Sequence, residues 1–198
     1  MKRHERFNER VKKGDVDIIF VGDSITQGWE GAGRGVWKTR YGDRKAVNLG
    51  IGGDRTQHVL WRLDNGNVDG ISPGVAVVMI GTNNSGGNRN TASEMVDGVT
   101  AVVAKLRAKL PKTRILLLAI FPRGEHFNEQ RGKILQVNQA IQKLDDGDFV
   151  HYLDIGHRFL EKDGSLSRRI MPDFLHLSPA GYEIWASSIE PTLVRLSS

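Results

Sequence analysis

The sequence contains no cysteine. Disulfide scaffolding, thiolate nucleophiles and cysteine-ligated metals are therefore excluded. It also has no apolar run near the roughly 18–20 residues that a membrane-spanning helix needs. The N-terminus is densely charged with both signs, from Lys2 and Arg3 to Lys12 and Lys13, and has none of the apolar core of a signal peptide. Two compartments fit this pattern: the cytoplasm, or an exported mature form. There is no block of like charge either. The formal net charge of +5 comes from 28 basic residues interleaved with 23 acidic ones. Without a sustained basic stripe or an aromatic–basic alternation, a nucleic-acid partner is not expected.

What is present is a pattern of short apolar, β-branched runs separated by longer helical ones. With 198 residues, 39% of them hydrophobic, the chain is long enough to bury a sizeable core in one domain, expected over residues 1–198. Residues 1–14 read as an N-terminal surface helix, because Phe7 and Val11 lie one helical turn apart. Near-continuous apolar runs at 17–22, 46–49, 75–80, 114–120 and 150–153 are expected strands of a parallel sheet covered on both faces. Helices are expected at 36–41, 55–63, 91–110 and 128–144. A last one starts at Ser178-Pro179, an N-cap followed by a first-turn proline. The fold class that follows is α/β, a three-layer α/β/α sandwich around a central five-stranded parallel sheet, flavodoxin-like in architecture.

Chemistry-bearing residues fall where such sheets place their sites, after the strands. Gly22-Asp23-Ser24-Ile25 ends the first strand. A serine there is a candidate nucleophile at a helix start, where backbone N–H groups face a developing oxyanion. The same residues are also ordinary turn and N-cap chemistry. Glycines 50, 52 and 53 follow the second strand and let the backbone approach a ligand closely. They lack dinucleotide-binding spacing. Gly81-Thr82-Asn83-Asn84 follows the third strand, and Asn83 can donate its side-chain N–H or simply make an Asx turn. Near the C-terminus Asp173 and His176 are three apart. That spacing allows a carboxylate to orient an imidazole, with a metal pair as the rival reading. His4, His58, His126, His151 and His157 have no such partner in the sequence and read as structural or exposed. His126 and His157 lie near strand-end loops.

Taken in order and spacing, residues 22–24, 52–54, 81–83 and 173–176 resemble the four motif blocks of the GDSL, or SGNH, hydrolases. The resemblance runs from residue 17 to about residue 185. It is most similar to the branch of intracellular platelet-activating factor acetylhydrolase catalytic subunits, through residues 48–54, 58–63, 81–84 and 121–125. Bacterial members of that branch also resemble carbohydrate acetylesterases. The resemblance implies Ser24 as nucleophile, His176 as general base and then acid, and Asp173 as its orienting carboxylate. It implies an oxyanion hole made of the Ser24 and Gly53 N–H groups and the Asn83 side chain, with Asp23 a scaffold for the serine turn. The pattern is distinct from the Gly-x-Ser-x-Gly elbow, since Thr26 stands where the second glycine would be.

The expected activity is hydrolysis of a small-molecule ester with a short acyl group, with no metal and no organic cofactor. An acetylated carbohydrate, a phospholipid acetyl ester and an aryl ester all fit as substrate. Ile25, Thr82 and Leu175 match positions that wall a short acyl pocket in that branch, or they simply pack against the sheet. Arg123 and Trp29, loop residues near strand ends, are structural residues or contacts for the alcohol. A homodimer is a further implication of the branch, with Val59, Leu60 and Trp61 as candidate contacts or as core packing. The alternative from another class is a non-catalytic binding module on a flavodoxin-like sheet. A flavin version of it would need a phosphate-cradling first loop, which residues 24–28 match poorly.

Overall fold

The structure is a computed structural model and describes residues 1–197. Five parallel strands form one sheet: β1 (Ile18–Gly22), β2 (Ala46–Gly50), β3 (Val75–Met79), β4 (Arg114–Leu118) and β5 (Val150–Leu153). Their order is β2-β1-β3-β4-β5. β1 has β2 on one side and β3 on the other, with Gly22 level with both Gly50 and Met79. In a sheet of this order the chain changes direction between β1 and β3, and the crevice outside those two carboxyl ends is where ligands bind.

Helices cover both faces because alternate residues of every strand are apolar on both sides. Ile19, Val21, Ala76, Val78, Ile115 and Leu117 face one core. It is closed by α1 (Lys2–Lys12), α4 (Thr56–Asp64), α5 (Ala92–Lys109) and α6 (Glu129–Ile141). Ile18, Phe20, Val75, Val77, Leu116 and Leu118 face the other core, closed by α3 (Arg34–Tyr41) and α7 (Pro179–Ser197). Between β1 and α3 lies one short helical turn, α2 (Ser24–Gln27), running on into a 3-10 turn over Gly28–Glu30. The expected elements are all present. Their ends move by a residue or two, the ordinary uncertainty of frayed termini. The last turn of the expected helix at 128–144 is a separate 3-10 turn, Gln142–Leu144.

Three expectations are corrected by packing. Trp29 cannot touch a substrate: it is buried, with its ring 5.0 Å from that of Trp185 and 4.5 Å from that of Tyr182. His4 is not a surface residue of α1 but is buried, hydrogen-bonded to Asn67 Nδ2 at 3.0 Å. Val59 is fully buried, so among residues 59–61 only Trp61 is broadly exposed.

The carboxyl end of the sheet is drawn tight by two glycines. A methyl group at Gly22 would overlap Thr26 Oγ1 and the Met79 carbonyl. One at Gly50 would overlap the backbone of Thr26 and Gln27. Helix α2 therefore sits directly on the ends of β1 and β2, and Ser24 is its first residue. Gly50→Ala is expected to cost about 1–3 kcal/mol through this overlap, read as a lower thermal midpoint. An unchanged midpoint would mean that α2 rides loosely on the sheet.

Candidate active site

Ser24 is placed by the residue before it. Asp23 caps α2, its Oδ1 accepting from Ile25 N at 3.0 Å. The Ser24 N–H at the start of the helix has no acceptor among the described residues. The Ser24 hydroxyl lies 2.9 Å from His176 Nε2, and His176 Nδ1 lies 2.6 Å from Asp173 Oδ2. This forms a hydrogen-bonded chain from hydroxyl through imidazole to carboxylate, between residues 152 positions apart.

The Asp173–His176 segment is a tight turn closed on itself. Asp173 Oδ1 accepts from Leu175 N at 3.1 Å and His176 N at 2.7 Å, while Oδ2 takes the ring. Phe174 is forced to φ +58°, a conformation that side-chain-bearing residues rarely adopt. The turn is pinned from outside: Gly124 N donates to Phe174 O at 2.9 Å, and the Arg168 guanidinium covers the Phe174 ring at 4.5 Å. Partial burial raises the Asp173 pKa, but the hydrogen bonds from the His176 ring and backbone outweigh it and hold the carboxyl below the usual aspartate range. Asp173 is thus an anion at neutral pH, suited to orient the imidazole and to stabilise its protonated form.

Two loops complete the crevice. Gly53 lies in the left-handed region at φ +79°, and its N–H has no acceptor among the described residues. Glycine is selected there by the backbone angle, since a methyl group would meet nothing within 4 Å. The neighbouring Gly52 N donates to Gln27 Oε1 at 2.7 Å, which ties this loop to α2. Asn83, after β3, donates its side-chain amide to Asp54 O at 2.9 Å. One amide hydrogen is thereby used and the second is left for another acceptor. Of the other expected contacts, Thr82 and Ile25 are buried and Leu175 is half-buried. Arg123 donates from Nη1 to both Thr82 O and Thr82 Oγ1 at 3.2 Å. His126 and His157 are exposed, and His151 is buried with Nε2 against Asp148 O. His58 does have a carboxylate nearby, Asp54 at 3.9 Å, and its ring accepts from Arg55 N as part of a capping box on α4.

Sequence reasoning missed Asp54 and Arg62. The two form a buried pair, Nε to Oδ2 at 2.7 Å, and Arg62 Nη2 also reaches Gly22 O at 3.3 Å. Burial pushes the Asp54 carboxyl up and the Arg62 guanidinium down, each against the pull of the other. A signal was available: Val59, Arg62 and Leu63 are the buried face of α4 at helical spacing, and a charged residue on that face calls for a partner.

Asp23 was read as a scaffold, and its hydrogen bond to Ile25 N fits that part. It is also fully buried, and its Oδ2 has no partner. Burial pushes its carboxyl up to about 7, against the Ile25 N–H bond and the charges of His176 and Arg123. Between the ordinary value of 3.8 and about 7 the native state then holds a proton that the unfolded chain has released. Stability from this group is full below that window and is lost as pH rises through it. Asp23→Asn removes the titration. The melting point of the parent relative to this variant is expected to fall steadily from pH ~4 to pH ~8, at ~2–4 °C per kcal/mol. A difference independent of pH would show that Asp23 ionises normally.

Human platelet-activating factor acetylhydrolase IB subunit alpha1 is 38% identical over 197 residues, 99% of this chain and 83% of that protein. The alpha2 subunit from Rattus norvegicus is 41% identical over 183 residues, 92% of this chain and 78% of that protein. A crystal structure of a GDSL-like lipase from Bacteroides thetaiotaomicron superposes with a TM-score of 0.78 at 20% identity, covering 98% of this chain and 97% of that one, a likeness of fold. The model of the GDSL-like lipase/acylhydrolase family matches residues 20–184, from the middle of β1 past His176 into α7. The chain belongs to the GDSL-like lipase/acylhydrolase family and is an acylhydrolase of the esterase kind.

Proposed function

We propose that the protein removes short acyl groups, acetyl foremost, from esters through an acyl-enzyme on Ser24. The observation that carries this reading is the chain from Ser24 Oγ to His176 Nε2 to Asp173, at 2.9 and 2.6 Å. In this reading His176 Nε2 takes the hydroxyl proton as Ser24 Oγ bonds to the ester carbonyl carbon. The carbonyl oxygen becomes an oxyanion facing the Ser24 and Gly53 N–H groups and the second Asn83 amide hydrogen. Donors of this kind are worth ~3 kcal/mol each. The imidazolium, stabilised by Asp173, returns the proton to the departing alcohol. Water then attacks the acyl-serine with His176 again as base, releasing the carboxylic acid and restoring the hydroxyl.

The preference for a short acyl group is supported by the relatives, whose names specify acetylhydrolases; Ile25 and Thr82 are buried, which leaves Leu175 as the candidate acyl-pocket wall next to a reacting residue. Leu175 is the most accessible of these three. The matched relatives act, by name, on platelet-activating factor, and a phospholipid acetyl ester is one candidate substrate on that ground.

Ser24→Ala is expected to reduce ester hydrolysis at least ~10⁴-fold with an unchanged melting point, since it removes only a half-exposed hydroxyl. Turnover near the parental rate in that variant would sink the assignment. Because a histidine must be neutral to accept the serine proton, acid should slow the rate by protonating the base, and a rate indifferent to acid would count against a histidine base. In a series of 4-nitrophenyl esters, acetate is expected to give the highest kcat/KM, and faster octanoate hydrolysis would refute the short acyl pocket.

A further inference from the structure

Asn83 also lines an open cleft of about 520 Å³. This falls within the ~300–1,000 Å³ of small-molecule sites and is far more than an acetyl group fills. Its wall is polar, made of the loop after β3, the loop after β4 and the first turn of α6. Thr82, Asn83, Gly86, Arg89, Arg123 and Gln130 are among its lining residues, and no carboxylate is. Two guanidinium groups thus face one space.

Arg3, Arg40, Arg44 and Arg62 all pair with carboxylates, whereas Arg89 and Arg123 have none within 4.0 Å among the described residues. Arg89 is exposed and is held over the cleft by one bond, Nη1 to Asn83 O at 3.2 Å. Arg123 is half-buried and braced on Thr82. With the Gln130 amide oriented so that each of its atoms has a partner, its oxygen accepts from Arg123 Nη1 at 3.3 Å, Ser85 Oγ at 2.8 Å and Gly86 N at 3.2 Å. Burial lowers the Arg123 pKa most; the Asp23 and Asp173 carboxylates act to raise it, and the neighbouring Arg89 charge acts to lower it. Two guanidinium groups lining one cleft that has no carboxylate in its wall favour an anion between them. The cleft shares Asn83 with the oxyanion position, so an anion in it would sit on a substrate whose ester lies at Ser24.

We propose that this cleft binds an anionic group, a phosphate ester or a carboxylate, on the alcohol half of the substrate, with Arg89 and Arg123 as its ligands. The inference rests on the ester-hydrolase reading and narrows it to acetate esters of acidic alcohols. It gives the acyl half to the Leu175 side and the charged alcohol to the arginine side.

Acetate release by the full chain, measured on two matched pairs, tests it. One pair is an acetylated glycerophosphodiester and its methylated, neutral phosphotriester. The other is an acetylated uronate and its methyl ester. In at least one pair the anionic member should have a kcat/KM roughly tenfold higher, a preference that shrinks between ~0.05 and ~0.5 M salt. The pair with the larger ratio identifies a lipid-type or a sugar-acid source. Arg89→Gln should bring that ratio close to one, and Arg89→Lys should keep part of it. Equal kcat/KM within both pairs, or a ratio untouched by Arg89→Gln, overturns the inference while leaving hydrolysis of the neutral members intact. Faster cleavage of a succinate than an acetate ester of one neutral alcohol overturns it too, since the anion would then sit on the acyl side. No turnover on these substrates or on 4-nitrophenyl acetate would overturn the ester-hydrolase reading, and this inference with it.

Discussion

The buried ion pair between Arg62 and Asp54 holds the two glycine-bearing loops and the end of β1 in one piece. Arg62 Nε meets Asp54 Oδ2, Nη1 meets Asn67 Oδ1 at 2.7 Å and Nη2 meets Gly22 O. Gly22 is the last residue of β1 and stands two before Ser24, Asp54 follows Gly53, and the Asp54 carbonyl holds the Asn83 amide. One guanidinium therefore ties together the segments carrying Ser24, Gly53 and Asn83. Both charges are desolvated, so the pair is a poor source of net stability but a strict one. Removing either partner leaves an uncompensated buried charge at a cost of about 3–5 kcal/mol. Its effect is to make three loops move as one, which is the preorganisation that electrostatic catalysis requires.

The histidine side is anchored by a different device. Arg131 on α6 is buried and makes no ion pair among the described residues. It donates to backbone carbonyls instead: Arg123 O at 3.2 Å, Gly164 O at 2.6 Å, and Gly124 O. Gly124 in turn donates to Phe174, the strained residue between Asp173 and His176. The 173–176 turn is thus fixed to the loop after β4 by backbone bonds, and the strain at Phe174 is held by its surroundings. The N-terminal helix joins the first network through His4 and Asn8, both bonded to Asn67. A segment expected to be only a surface helix is connected through Asn67 and Arg62 to the end of β1.

The fold was legible because its signals are local. Runs such as residues 75–79 and 115–118 are apolar on both faces, and that pattern means a covered parallel strand. The Ser178-Pro179 start marks α7 to within a residue. The candidate site was legible in its residue types, because Ser24, Gly53, Asn83, Asp173 and His176 stand in recognisable short blocks. The supporting residues were not. Asp54 and Arg62 are ordinary surface residue types whose burial depends on which face α4 presents. Trp29 resembled a loop aromatic free to meet a ligand until Tyr182 and Trp185, more than 150 positions later, closed over it.

The sequence by itself determined the elements, their order along the chain, which strand ends carry a hydroxyl and an amide, and that a carboxylate and an imidazole stand three apart near the C-terminus. It did so because backbone periodicity and turn chemistry act over a few residues. Only the tertiary structure decided that Ser24 and His176 meet at 2.9 Å. It alone decided that Asp23 is buried without a partner for Oδ2, and that Arg89 and Arg123 share a cleft free of carboxylates. Those outcomes depend on desolvation and on charges brought together from distant segments. Both arise only when the helices close over the sheet.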